Sequence, residues 1–230
     1  MISFNTVGRD ELLALTKVRA GEVKLGQTLN TNPNAKYQVI GIAESLGVRA
    51  NHGVGGTETA WPAFLGAFVN LQDNRHLRGS DIHVAGYFSE DFPFTEDIGT
   101  LRQQVEELDQ ALSEKVEGLV RAGKVPLLIG GGHNNAFPIL KGCSLALDSA
   151  IQVVGYLGKC RVLGLKRTYA PEGMLSALEQ AGAQAVFMED LGEENARSEA
   201  IAAALATSGA PLGIEIDLDS IENILSSATN

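Results

Sequence analysis

Val125-Pro126-Leu127-Leu128-Ile129 runs without a break into Gly130-Gly131-Gly132-His133-Asn134-Asn135-Ala136-Phe137-Pro138. A short apolar run closed by glycine reads as a strand buried on both faces. Three glycines let the backbone turn sharply and leave room beside the imidazole. A helix is expected to begin near Asn134 or Asn135. In open α/β sheets, ligands sit beyond the carboxyl ends of the strands, so this turn delivers His133 to the place where chemistry is done. Neutral imidazole there can ligate a transition metal or act as a general base. A tight glycine turn carrying a partly buried, hydrogen-bonded histidine is the plainer alternative.

Outward from that stretch the same grammar repeats. Apolar runs bounded by Gly, Asp or Asn lie at 37–43, 82–88, 150–154, 160–165, 185–188 and 212–218. Between several of them the period changes to that of amphipathic helices. Residues 59–71 carry Trp61, Phe64, Leu65, Phe68 and Val69, and 95–122 carry Ile98, Leu101, Val105, Leu108, Leu112, Val116, Leu119 and Val120. A third helix opens on Pro171 and stops before Gly182, and a fourth spans 194–205. Strands alternating with helices imply a three-layer α/β/α fold around a mostly parallel central sheet. Without a linker, repeat or low-complexity tract, residues 1–230 read as a single α/β domain.

Two places break the pattern. Only Gly155-Tyr156-Leu157-Gly158-Lys159 separates the runs at 150–154 and 160–165, and a parallel crossover needs a dozen residues or more. Either these runs form an antiparallel hairpin or a segment is missing near 154–156. The chain also ends eleven residues after Asp219, with no helix to cover the last strand, so a continuation after 230 is expected.

Composition removes whole classes. The chain has 230 residues, 44% hydrophobic and 20% charged, enough to bury a large core. No apolar run approaches the roughly 18 residues of a membrane span. The opening Met1-Ile2-Ser3-Phe4-Asn5 lacks the basic flank and apolar stretch of a secretory signal. Two cysteines, Cys143 and Cys160, cannot form a disulfide framework, which favours a cytoplasmic setting. A net charge of −10 argues against nucleic-acid binding. Neither cysteine has the surroundings of a nucleophile, and there is no Gly-x-Ser-x-Gly elbow.

Gly213-Ile214-Glu215-Ile216-Asp217-Leu218-Asp219-Ser220 is the second chemical stretch. Side chains two apart on a strand share a face, so Asp217 and Asp219 converge at the sheet edge. Carboxylates that close repel unless a proton or cation lies between them, and a divalent cation is the natural occupant. Glu215 lies in the same phase, one step deeper. The alternative is that the aspartates cap the turn through Ser220. With His133, these residues make a set of nitrogen and oxygen metal donors at one sheet edge. The third stretch is Gly47-Val48-Arg49-Ala50-Asn51-His52-Gly53-Val54-Gly55-Gly56-Thr57-Glu58-Thr59, a glycine-rich loop after the 37–43 strand. Arg49 can clamp a carboxylate in a bidentate way, and Thr57 or Thr59 can cap the following helix. It is neither a Walker loop nor a clean Gly-x-Gly-x-x-Gly, although a Rossmann-like nucleotide site at Gly53–Gly56 is a third reading. His52, His76 and His83 read as exposed or structural.

These three blocks, in this order, resemble the ureohydrolase family of arginases, agmatinases and formimidoylglutamases. Gly130-Gly131-Gly132-His133 resembles the family's strand-ending metal block, Asp217-Leu218-Asp219 its Asp-x-Asp block, and the 47–56 loop its substrate-side loop. Gly132, where arginases and agmatinases usually have Asp, points to the formimidoylglutamase branch. The resemblance implies an arginase-like fold and His133, Asp217 and Asp219 as metal ligands. It implies two Mn2+ per subunit in a complete protein, with a bridging hydroxide attacking the amidine carbon. Arg49 and Asn51 become the substrate-binding candidates. The implied reaction is hydrolysis of a linear amidine C–N bond, N-formimidoyl-L-glutamate to L-glutamate and formamide, as in histidine catabolism. The expected partner is a small amidine, with no nucleic acid, no membrane, and homo-oligomerisation left open. The alternatives are a guanidine hydrolase of agmatinase or arginase type, or an inactive binding protein of the same fold. One departure stands out. The family's Asp-x-His-x-Asp block, which supplies three of its six ligands, is missing after 150–154. The catalytic residues are therefore expected in the absent segments.

Overall fold

In the computed structural model the described residues are 1–32, 34–149, 151–154, 159–168, 170–206 and 211–217, with 152–154 and 159–160 described by their backbone alone. In chain order the first elements are β1 (Ile2–Thr6), α1 (Arg9–Ala14), α2 (Leu25–Thr28), β2 (Tyr37–Ala43), α3 (Leu46–Ala50), α4 (Ala60–Phe68), β3 (Ile82–Glu90), α5 (Ile98–Arg121), β4 (Val125–Ile129) and α6 (Ala136–Leu147). Then come β5 (Gln152–Val154), β6 (Lys159–Leu165), α7 (Glu172–Gln180), β7 (Gln184–Phe187), α8 (Glu194–Leu205) and β8 (Leu212–Ile214). The chain forms two compact units, Met1–Gly142 and one from Cys143 onward, with the division falling inside α6.

The first unit holds a sheet in the order β1-β3-β2-β4. β2 pairs parallel with both β3 and β4, and β1 pairs antiparallel with β3 at one edge. Alternation along β2 sends Val39 and Gly41 toward α4 and the buried Ile40 and Ile42 to the other face. On the α4 side, Val7, Leu12, Leu25, Leu29, Trp61, Leu65 and Val69 form the main core with Val39, Ile82 and Val84. Leu46 and Ala50 of α3 pack against Leu101 of α5 in a separate cluster. The 24-residue α5 starts where Asp97 accepts a hydrogen bond from Thr100 N at 2.7 Å, and it buries Leu101, Gln104, Leu108, Leu112 and Val116 along one stripe. The fold is the mostly parallel, arginase-like α/β arrangement expected from the alternation of elements.

Asp109, on α5, is strongly displaced by this packing. Burial pushes its carboxyl up to about 6, the negative charges of Glu44 and Glu106 add to that, and Lys141 opposes it. Its Oδ1 is buried without a hydrogen-bond partner. Between about pH 4, where the unfolded carboxyl titrates, and about pH 6, the folded chain holds a proton there that the unfolded chain has lost. Stability therefore falls as pH rises through this window. Asp109→Asn is expected to stabilise the protein at pH 7.5 by on the order of 1 kcal/mol, after allowance for partial solvent screening. The gain should vanish near pH 4, which urea melts at the two pH values will show.

The second unit holds the order β7-β6-β5-β8, all pairs parallel. This corrects the hairpin reading of the runs at 150–154 and 160–165, since Gln152, Val153 and Val154 pair parallel with Lys159, Cys160 and Arg161. Ala150 and residues 155–158 lie outside the described residues. α7 ends as expected, with Gly182 at φ +70 and its N–H bonded to Glu179 O at 2.9 Å. A second correction concerns burial on both faces. Val125 and Leu127 of β4 are 36% and 40% exposed, and Ile214 of β8 is 63% exposed. Within its unit's sheet each of these strands is an edge, so apolar content alone overstated its cover.

Candidate active site

Because β2, β3 and β4 run parallel, their carboxyl ends share one edge of the first unit's sheet. There β2 passes into Glu44 and Ser45, β3 ends at Glu90, and β4 passes into the glycine turn and His133. Gly130 and Gly131 adopt φ +94 and +72, so the turn uses the left-handed region that glycine alone enters cheaply. A Cβ on Gly131 would lie 2.3 Å from Asn135 Nδ2 and 2.7 Å from Glu44 Oε1. His133 opens a single 3-10 turn (His133–Asn135) that leads into α6, and its side chain is exposed. The helix thus starts within a residue or two of the expected place.

The residue that sequence reasoning missed is Glu44. It is 1% exposed. Its Oε2 accepts from Leu46 N at 2.6 Å and Gly47 N at 3.3 Å, and its Oε1 accepts from Gly132 N at 2.9 Å and Asn135 Nδ2 at 2.8 Å. One carboxylate thus joins the segment bearing Arg49 to the turn bearing His133. The only sequence signal for it is an acid placed directly after a buried strand, at the level where β4 gives way to Gly130.

The loop expected at 47–56 begins as a helix, α3, that carries Arg49 and is capped by Asn51. Arg49 donates through Nη2 to Thr95 O, and its guanidinium lies 4.9 Å from the centre of the Phe94 ring. It lines an open cavity of about 600 Å³ together with Ser45, Glu58, Glu90 and Phe94. Two acids in this cavity are driven apart. For Glu58, burial works upward, but hydrogen bonds from Ser45 Oγ and Gly56 N and the charge of Arg49 hold it below the usual carboxylate range. For Glu90, burial raises it and the charges of Glu44 and Glu58 add to that, against the Ser45 N–H and Arg49. Asn51 is exposed beside His52, which adopts φ +62. Neither threonine caps α4 through its side chain. Thr57 donates to Glu44 O and Thr59 to Gly56 O, because a 3-10 turn intervenes between loop and helix.

In the second unit β8 stops at Ile214, so Asp217 lies three residues past the last paired position rather than on the strand. Ile214 and Ile216, at this end of the strand, are exposed. Asp219 and Ser220 lie outside the described residues. Among the described residues no group of three or more His, Cys, Asp or Glu side chains is close enough to hold a metal ion. His83 is half-buried with Nδ1 unpartnered, and burial, then Lys115 and Lys124, press its pKa down, which suits a structural role. Burial pushes the Cys143 thiol up, which disfavours its thiolate.

The model of the arginase family matches residues 36–156, just over half of the chain, from β2 through the His133 turn to β5. The chain belongs to the arginase family. Its fold is similar to that of Trypanosoma cruzi formiminoglutamase with Mn2+2, at TM-score 0.61 and 16% identity, over 79% of this chain and 71% of that one. An arginase superfamily protein from the same organism gives TM-score 0.59 at 14% identity, over the same shares of the two chains. No curated protein sequence matches. This member of the arginase family has no described helix long and apolar enough to cross a membrane. The imidazole of His133 and the carboxylate of Asp217 are each of a donor type that suits manganese. Beside His133, the buried Asn134 Oδ1 has no hydrogen-bond partner, an acceptor left open at the turn.

Proposed function

We propose that this arginase-family chain hydrolyses the C–N bond of a linear amidine, N-formimidoyl-L-glutamate to L-glutamate and formamide. The observation that carries the reading is the family match over both glycine-rich segments, which meet at one carboxyl edge of the sheet. Manganese would be held by His133, Asp217 and Asp219, and two ions per subunit are proposed for a complete metal site. When bound, the metal supplies an activated water and an electrophile for the amidine. The chain's own residues do the rest. Arg49, braced by Thr95 O and the Phe94 ring, keeps further guanidinium donors for a substrate carboxylate. Asn51, at the end of the same helix, offers an amide to the substrate. The lowered Glu58 and raised Glu90 give the cavity one acid that stays charged and one that more readily holds a proton. We place the reaction in the cytoplasm, in keeping with the free Cys143.

A second reading has its own observation. β5 and β6 pair parallel with only four residues between them, and the family match stops at 156, where the Asp-x-His-x-Asp block would follow. A chain that lacks this block keeps the fold and binds without turnover. Full-length protein with excess Mn2+, offered formimidoylglutamate, agmatine and arginine in turn, separates the readings. Formamide from formimidoylglutamate, without urea from the other two, is the expected result. Urea release would move the assignment to a guanidine hydrolase, and binding with no product would establish the inactive form.

A further inference from the structure

We propose that Glu44 is a positioning residue that aims His133, an assignment that rests on His133 being a metal ligand. A buried carboxylate is costly unless its oxygens are satisfied. Each Glu44 oxygen meets two N–H donors, and the two pairs come from different loops. One pair is the backbone of Leu46 and Gly47, in the helix that carries Arg49. The other pair, Gly132 N and Asn135 Nδ2, brackets His133 on both sides along the chain. An apolar side chain in this place would fill the space without the desolvation cost. What only a carboxylate provides is four accepting directions that hold both loops in one geometry.

The fit around it is close. Gly131 has no room for a Cβ against Oε1 and Asn135, and a Cβ on Gly47 would strike Asn134 Oδ1 at 1.8 Å. Both glycines therefore let the two loops approach across Glu44. Loss of the carboxylate frees Gly132 and Asn135 together, and His133 between them loses its fixed direction. Partners that orient a metal ligand from behind are typically worth 10–100-fold in metal affinity.

The test uses the full chain and two variants, Glu44→Gln and Asn135→Ala, the second breaking only the His133 side of the clamp. Imidazole NMR signals of the four histidines are recorded without metal and then during Mn2+ titration. In both variants the His133 ring signals should shift or broaden while those of His76 and His83 stay in place. The Mn2+ dissociation constant should rise about 10–100-fold in Glu44→Gln, with a smaller rise in Asn135→Ala. Unchanged His133 ring signals in a folded variant would overturn the proposal. If Glu44→Gln does not fold, Asn135→Ala decides. If Mn2+ leaves the wild-type His133 signals untouched, the metal reading falls, and the metal-free comparison still decides what Glu44 does.

Discussion

His133→Ala should lower Mn2+-dependent kcat on formimidoylglutamate by about 1,000-fold or more, with little change in thermal stability. A metal in this role contributes several kcal/mol of transition-state stabilisation, and each 1.36 kcal/mol is tenfold in rate. The imidazole is exposed and outside the apolar clusters, so its removal opens no cavity. The turn that carries it is held by Glu44 through Gly132 N and Asn135, neither of which the substitution touches. Initial rates in the presence of saturating Mn2+, beside circular-dichroism melts, give both quantities. A variant that retains wild-type rates would remove His133 from the site.

Trp61→Ala should cost about 3–5 kcal/mol of folding free energy, the range for truncating a large buried aromatic. Trp61 is 3% exposed, stacks on Phe64 at 6.0 Å and lies tilted against Tyr87 at 6.1 Å. Its six-membered ring covers Gly41 so closely that a Cβ there would fall 2.1 Å from Cδ2. Gly41, opposite, has no side chain to refill the space, and the cost should lie toward the upper end. Urea denaturation followed by circular dichroism measures it, since the chain has one tryptophan and the variant none. A loss under 1 kcal/mol would mean that the strand face relaxes onto α4.

Much of the first unit could be read from residue order because its signals are local. β2 and β4 fall on 37–43 and 125–129, where an apolar run is closed abruptly by polar residues or glycine. α5 follows from a long stripe with charges between, and in the second unit α8 matches 194–205. β1 was missed, for Ile2-Ser3-Phe4-Asn5-Thr6 is a half-buried edge strand whose alternation is too short to stand out. Gly47, inside α3, makes the sequence read there as loop. Packing of Leu46 and Ala50 against Leu101 overrides that propensity.

The site divides in the same way. The sequence singles out His133 and Arg49 because glycines mark the backbone around them as special. Glu44 is not singled out, because an acid after a strand is ordinarily solvated, and only the folded chain brings four N–H donors to it. Asp217 was placed on a strand that stops at Ile214, where apolar alternation continued past the point at which pairing ends.

The central proposal for this arginase-family chain is that His133, Asp217 and Asp219 hold manganese. It is tested most directly by the metal content of the full-length protein after equilibration with excess Mn2+ and removal of free ion. The account predicts stoichiometric manganese in the wild type and its loss in His133→Ala and Asp217→Asn. A wild type that retains none, or a His133→Ala variant that retains as much, would contradict it.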